Sequence, residues 1–237
     1  MKQSVFIFRG LRKTFAHRIL LDLPELALYP GQCTLLSGEN GAGKTTLLRI
    51  IAGLLEPDEC AVEYHQHWYE WRKARRILQA RIVYVHQQPY LFDATVSANI
   101  EYGLKRMRLS RADRRARTCE ALNWAGLEHL AERAARTLSS GEQQRVSLTR
   151  ARVLAPRLLL LDEPLANMDN EARALSCDLI ARLRDEGTGI IITGHEQGRL
   201  KPLADRLLLL HDGHISTQTD AAAKVIPLPQ GQRPLEH

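Results

Sequence analysis

Residues Gly38-Glu39-Asn40-Gly41-Ala42-Gly43-Lys44-Thr45 stand between an apolar run, Thr34 to Ser37, and a helical run, Leu47 to Leu55. Few folds accept a strand, a glycine-rich loop and a helix in that immediate order. The glycines let the backbone curl until successive N–H groups converge on one point, and the start of a helix adds partial positive charge there. Such a loop fits phosphate oxygens. A match to Gly-x4-Gly-Lys-Ser/Thr arises in an average chain of this size on the order of one percent of the time, so an accidental turn is set aside. On this reading Lys44 reaches the β and γ phosphates of a nucleoside triphosphate, and Thr45 offers its hydroxyl to Mg²⁺, a cation that takes oxygen ligands.

Further apolar runs, Val5 to Phe8, Ile82 to Val85, Leu158 to Leu161, Gly189 to Thr193 and Arg206 to Leu210, are separated by helical stretches. This alternation predicts an α/β fold. The four consecutive leucines of Leu158 to Leu161 do not alternate with polar residues, so the strand is expected to be covered on both faces, as in a parallel sheet. Ligands then belong at the carboxyl ends of the strands. Gly38, Gln87, Asp162 and His195 all follow such runs. Between about residues 95 and 155 the strand-like runs vanish and Leu, Ala, Arg and Glu recur at helical spacing, which predicts an inserted helical subdomain. The expected organisation is one domain over 1–220, with a core of about 1–94 and 156–220, a helical part of about 95–155, and a low-information tail over 221–237. Leu235-Glu236-His237 reads as the remnant of a tag.

Composition excludes several classes. The chain has 237 residues, 44% of them apolar, and no run approaches the eighteen apolar residues of a membrane span. Its first residues do not read as a secretory signal, which leads us to expect a cytoplasmic protein. Cys33, Cys60, Cys119 and Cys177 are far apart without a Cys-x-x-Cys pair, so neither zinc nor disulfides are suggested and buried free thiols are expected. The net charge of +6 favours anionic partners without choosing among them. The basic stretch from Lys105 to Arg117 could suggest nucleic acid or membrane phosphate, but a solvated helix face is the favoured reading.

Asp162-Glu163-Pro164 follows the leucine run and sets two carboxylates at the edge of an apolar strand, an expensive placement without a cation. Asp162 suits a Mg²⁺ ligand, and Glu163 suits a base that polarises the attacking water. A bland alternative makes the pair a strand-end turn stabilised by Arg157. His195 can bond a γ phosphate or the same water, although a histidine alone is usually structural. Gln87 offers an uncharged amide to the metal or its water; Gln88, adjacent, competes for that role.

In Leu138-Ser139-Ser140-Gly141-Glu142-Gln143-Gln144-Arg145, both Ser139 with Glu142 and Ser140 with Gln143 have capping-box spacing, so a helix starts here. Simple capping is the default reading. A phosphate on that helix start is the other.

Taken in order, these elements resemble those of ABC-type ATPases over about residues 5–216: Gly38 to Thr45 as Walker A, Gln87 in the Q-loop, Leu138 to Gln143 as signature, Leu158 to Glu163 as Walker B and His195 as switch histidine. The resemblance implies a P-loop NTPase fold, α/β, with a mostly parallel core sheet, an N-terminal antiparallel β portion and the inserted helical subdomain. It implies ATP and Mg²⁺ as ligands, with Gly38, Glu39, Asn40, Gly41, Ala42, Gly43, Lys44, Thr45 and Thr46 around the phosphates. Phe15 would stack on adenine where the family more often has tyrosine. Thr45, Gln87 and Asp162 would meet the metal, and Glu163, His195, Gln87 and Lys44 would carry catalysis. Two subunits would associate head to tail as a homodimer, with ATP between Walker A of one and Ser139 and Gly141 of the other. Asp169 is retained in a segment, Leu165 to Asp169, that otherwise departs from the commoner sequence; Ser140 replaces the usual signature glycine.

The resulting expectation is an ATP-hydrolysing subunit of a transporter, peripheral on the inner face of the membrane through transmembrane permease subunits. Gln87 to Asn99 looks similar to bacterial importer ATPases, among them those for oxyanions such as tungstate. The chain is expected to lack an added carboxyl-terminal regulatory domain. A clamp acting on nucleic acid or the ribosome is the alternative. It is disfavoured because no coiled-coil insertion separates Lys44 from Ser139 and nothing resembles a nucleic-acid-binding appendage. No nucleic-acid partner is therefore expected.

Overall fold

The structure, a computed structural model, describes residues 5–105, 107–194 and 200–218. Two sheets organise it. Strands β3 (Cys33–Ser37), β6 (Ile82–Val85), β7 (Leu158–Leu161), β8 (Gly189–Thr193), β9 (Arg206–His211) and β10 (His214–Gln218) form a six-stranded sheet in the order β10-β9-β3-β8-β7-β6. Every pairing in it is parallel except β10 with β9. The second sheet is antiparallel and four-stranded, β2-β1-β4-β5, built from β1 (Phe6–Phe15), β2 (Arg18–Leu28), β4 (Glu59–Tyr64) and β5 (His67–Glu70). The first apolar run is thus only the start of β1, a strand that continues to Phe15.

Helices α1 (Lys44–Ile51) and α2 (Trp71–Arg81) belong to the first half of the chain, and α6 (Asn170–Asp185) joins β7 to β8. Between β6 and β7 lie α3 (Val96–Leu104), α4 (Arg111–Ala125) and α5 (Ser140–Arg152), with short 3₁₀ turns. Thr95, Ser110, Ser139 and Asp169 cap the starts of α3, α4, α5 and α6, each side chain accepting a backbone N–H three residues on. A side-chain cap of this kind stabilises a helix by about 1 kcal/mol. Helix α1 starts earlier and ends sooner than its apolar pattern suggests, because the chain leaves at Ala52 and turns at Gly53 with φ 70°. Leu54 is consequently exposed.

The parallel sheet separates two cores. Leu158 and Leu160 of β7 face the antiparallel sheet with α1 and α2, while Leu159 and Leu161 face the α3–α6 side. Ile191 of β8 joins the first core, and Ile190 and Ile192 join the second. Each fully buried leucine or isoleucine contributes about 1.5–3 kcal/mol of burial free energy, so this layer anchors the strand ends that follow. The thiols are not uniformly buried: Cys33 is, but Cys119 is exposed, since it points outward from α4, while Cys60 and Cys177 are half-buried. On α4 itself, Arg111 and Arg115 are exposed and Arg114 pairs with Glu101 at 3.2 Å. No helix among the described residues is long and apolar enough to cross a membrane.

Candidate functional site

Because β3, β8, β7 and β6 are parallel neighbours, the residues after Ser37, Thr193, Leu161 and Val85 emerge along one edge of the sheet. The glycine loop leaves β3 there. A Cβ on Gly38 would collide with the backbone carbonyl oxygen of Leu210, so only glycine lets the loop begin against the end of β9. Gly43 sits at the N-cap of α1 with φ 102° and supplies no side-chain acceptor, which leaves the first-turn N–H groups of the helix to an outside partner. The Lys44 ammonium folds back over the loop and donates to the carbonyls of Gly38 (2.8 Å) and Glu39 (2.9 Å). Thr45 is exposed beside it, and Thr46 is half-buried. The ammonium, the glycine loop and the start of α1 together form a cationic cradle.

Two strands along, the buried carboxylate of Asp162 is bonded on both oxygens. Tyr84, in β6, donates its phenol to Oδ2 at 2.8 Å, and Thr193, the last residue of β8, donates its hydroxyl to Oδ1 at 2.8 Å. Burial first, and then the bond to Asp162, push the Tyr84 phenol well above its ordinary value, so it stays protonated and a donor. Thr193 Oγ1 also accepts the backbone N–H of Glu163 at 3.0 Å. Glu163 has φ 47°, in the left-handed region that costs a side-chain-bearing residue about 1–2 kcal/mol. Its Oε2 accepts from the Gln87 side-chain amide at 2.9 Å. Gln87, rather than Gln88, therefore meets the acidic pair. Arg157 precedes β7 and Asp162 follows it, so the whole strand separates them and the turn-stabilising alternative does not hold.

Among the described residues no three His, Cys, Asp or Glu side chains gather as a metal cluster. A Mg²⁺ held by the Thr45 hydroxyl, Asp162 and Gln87 would thus draw its remaining ligands from phosphate and water, the habit of Mg²⁺ at triphosphate sites. The donor set fits that ion.

Phe15 ends β1 in a hairpin whose turn residues Ala16 and His17 both have positive φ. Its ring is 49% exposed, with the Lys13 ammonium 5.4 Å from its centroid. A cavity of about 200 Å³ opens next to this hairpin, between Arg18 to Leu20, Glu39 to Ala42 and the β9–β10 turn.

The signature segment lies elsewhere on the chain. Ser139 and Glu142 form the reciprocal capping box, with bonds of 2.7 and 3.3 Å, so the Ser139 register is the one used. Helix α5 packs against α3, α4 and α6. Gly141 lies so close to Ala172 that a Cβ on it would collide with the alanine methyl. Ser140 donates its hydroxyl to the Asn167 carbonyl at 3.1 Å, which joins the two segments that depart from the commoner sequence. The Asp169 carboxylate is exposed and caps α6 through the Ala172 N–H at 2.8 Å. His195 lies outside the described residues. Tyr84 and Thr193 went unread in the sequence; the available signal was a lone hydroxyl near the end of each of two apolar strands.

A strand, glycine loop and helix beside an acidic strand end on a parallel sheet define a P-loop nucleotide-binding fold. Within that class the chain belongs to the ABC transporter family, whose sequence model matches residues 21–166. It is 36% identical over 219 residues to the Fe(3+) ions import ATP-binding protein FbpC of Escherichia coli strain K12, covering 91% of this chain and 62% of that protein. The chain therefore spans less than two thirds of that relative's length. It is 38% identical over 209 residues to the aliphatic sulfonates import ATP-binding protein SsuB of Mycobacterium avium strain 104, covering 87% of this chain and 78% of that one. Among solved structures it resembles a dimeric, post-hydrolysis ATP-binding cassette, MJ0796, bound to ADP and Pi, with a TM-score of 0.77 at 26% identity over 90% of this chain and 97% of that one.

Proposed function

We propose that this chain binds ATP with Mg²⁺ at the glycine loop, hydrolyses it, and uses the cycle to power an importer. The observation that carries the proposal is the placement of Lys44 over the glycine loop with the Asp162–Glu163 pair two strands away on the same sheet edge. Lys44 and the first N–H groups of α1, those of Thr45 and Thr46 among them, bind the β and γ phosphates; Phe15 carries the base. Mg²⁺, when bound through Thr45, Asp162 and Gln87, neutralises charge on the phosphates. Glu163 orients and deprotonates the attacking water, and His195 assists at the γ phosphate.

Ser139 and Gly141 of a second copy complete the site head to tail, and Asp169 lies at the same junction. This agrees with the dimeric cassette that holds ADP and Pi. Tyr90 (72% exposed) and Tyr102 flank Phe92, an aromatic surface suited to a transmembrane permease. Through it the protein sits peripherally on the inner face of the membrane. Import as the direction rests on the relatives' names. The two named cargoes, a metal ion and sulfonates, differ, and cargo choice is assigned to the permease complex rather than to this chain. Calorimetric titration of Mg²⁺–ATP into wild type and Lys44→Ala tests the core of the proposal. Affinity in the wild type, weakened at least about tenfold by the substitution, is expected; equal binding in both removes the glycine loop as the site.

A further inference from the structure

Resting on the reading of Asp162 as the carboxylate that meets Mg²⁺–ATP, we infer that Tyr84 and Thr193 are positioning residues that hold that carboxylate, one hydroxyl on each oxygen. The donors come from strands on either side of β7: Tyr84 from β6 and Thr193 from β8, each at 2.8 Å. A carboxylate bonded from both flanks cannot rotate about its terminal torsion without giving up both bonds. Asp162 is only 7% exposed, so water does not readily replace a lost donor. Each of its oxygens keeps a further lone pair for a metal ion or a metal-bound water.

Thr193 has a second task. Its oxygen accepts the Glu163 N–H while its proton goes to Asp162, so one buried hydroxyl fixes the side chain of one acidic residue against the main chain of the next. That bond also holds Glu163 in its left-handed conformation, φ 47°. Strand β8 lies between β3 and β7, which sets this hydroxyl between the strand that feeds the glycine loop and the one that ends in the carboxylates. Packing alone does not ask for a hydroxyl here: the strand is otherwise Gly189-Ile190-Ile191-Ile192, and valine is β-branched like threonine.

Nucleotide affinity is measured with ATP in EDTA and again in Mg²⁺, for wild type, Tyr84→Phe, Thr193→Val, Thr193→Ser and Asp162→Asn, with Mn²⁺ resonance spectra of the loaded complexes as a direct view of the metal. In Tyr84→Phe and Thr193→Val the gain in affinity conferred by Mg²⁺ is expected to shrink about tenfold, the usual consequence of losing an outer-shell partner. Metal-free affinity stays at the wild-type level in both, which also reports intact folding, and Thr193→Ser restores the gain. If both variants keep the full Mg²⁺ gain and the wild-type Mn²⁺ spectrum while Asp162→Asn loses them, the positioning role is wrong and Asp162 keeps its own. If Asp162→Asn also keeps them, the reading of Asp162 fails, and the inference with it.

Discussion

The Gln87 side-chain amide and the Glu163 carboxylate are hydrogen bonded to each other at 2.9 Å, which links the residues that follow β6 and β7. A glutamine at position 163 keeps an oxygen to accept that bond, so Glu163→Gln alters charge with little change of shape. The variant is expected to bind ATP as tightly as wild type, to lose roughly 100-fold or more in phosphate release, and to accumulate as an ATP-bound dimer in light scattering. Turnover at the wild-type rate would remove Glu163 from the role of base.

Phe15 gives a second test, since its ring is half exposed at the end of a hairpin with the Lys13 ammonium beside it. Phe15→Ala is expected to weaken ATP binding about tenfold, the scale of one base–aromatic stack, and to leave tripolyphosphate binding unchanged. Phe15→Tyr preserves the stack and should bind ATP at least as well. Equal losses for ATP and tripolyphosphate in the alanine variant would show that the ring does not meet the base.

The contact between Gly141 and Ala172 predicts a stability effect with a built-in control. Gly141→Ala drives two methyl carbons together at the junction of α5 and α6 and should cost about 1–3 kcal/mol in urea unfolding. Gly141→Ala combined with Ala172→Gly relieves the clash and is expected to recover most of that loss. Two additive losses would mean that the helices have room to separate.

Acid sensitivity follows from Glu142. Burial opposes its ionisation, but the N–H and hydroxyl of Ser139 and the charges of Arg133 and Arg145 outweigh it and hold the carboxyl below its ordinary value of 4.5. A group depressed in the folded state contributes stability that is fully present above its unfolded value and is lost as pH falls through the folded one. Between about pH 5 and pH 3 the melting temperature of wild type should therefore fall further than that of Glu142→Gln. Parallel curves would take Glu142 out of the acid response.

Gln87 was separated from Gln88 only by the family resemblance; the parts of the site that were legible in local spacing are the glycine loop, the acidic pair after four leucines and the capping box. Each needs only a few neighbours and a strand before it. Tyr84 and Thr193 were not legible, because a single hydroxyl in an apolar strand gains its meaning from the strand beside it, and strand order is a tertiary property. The antiparallel sheet was expected only from the family resemblance, and its strands escaped the residue patterns for a different reason. Its hairpins turn at Ala16-His17 and His65-Gln66, both pairs at positive φ without a glycine, so the usual Asn-Gly mark is missing. Pro24 and the charges of Arg18, Asp22 and Glu25 also blur β2, an edge strand that tolerates them.

The leucines of β7 alternate between the two cores, and this gives the strand no slack on either side. Its end is therefore a rigid post. A displacement at the site is expected in the connections beyond the post, where Gln87 meets Glu163, before it reaches the strand itself.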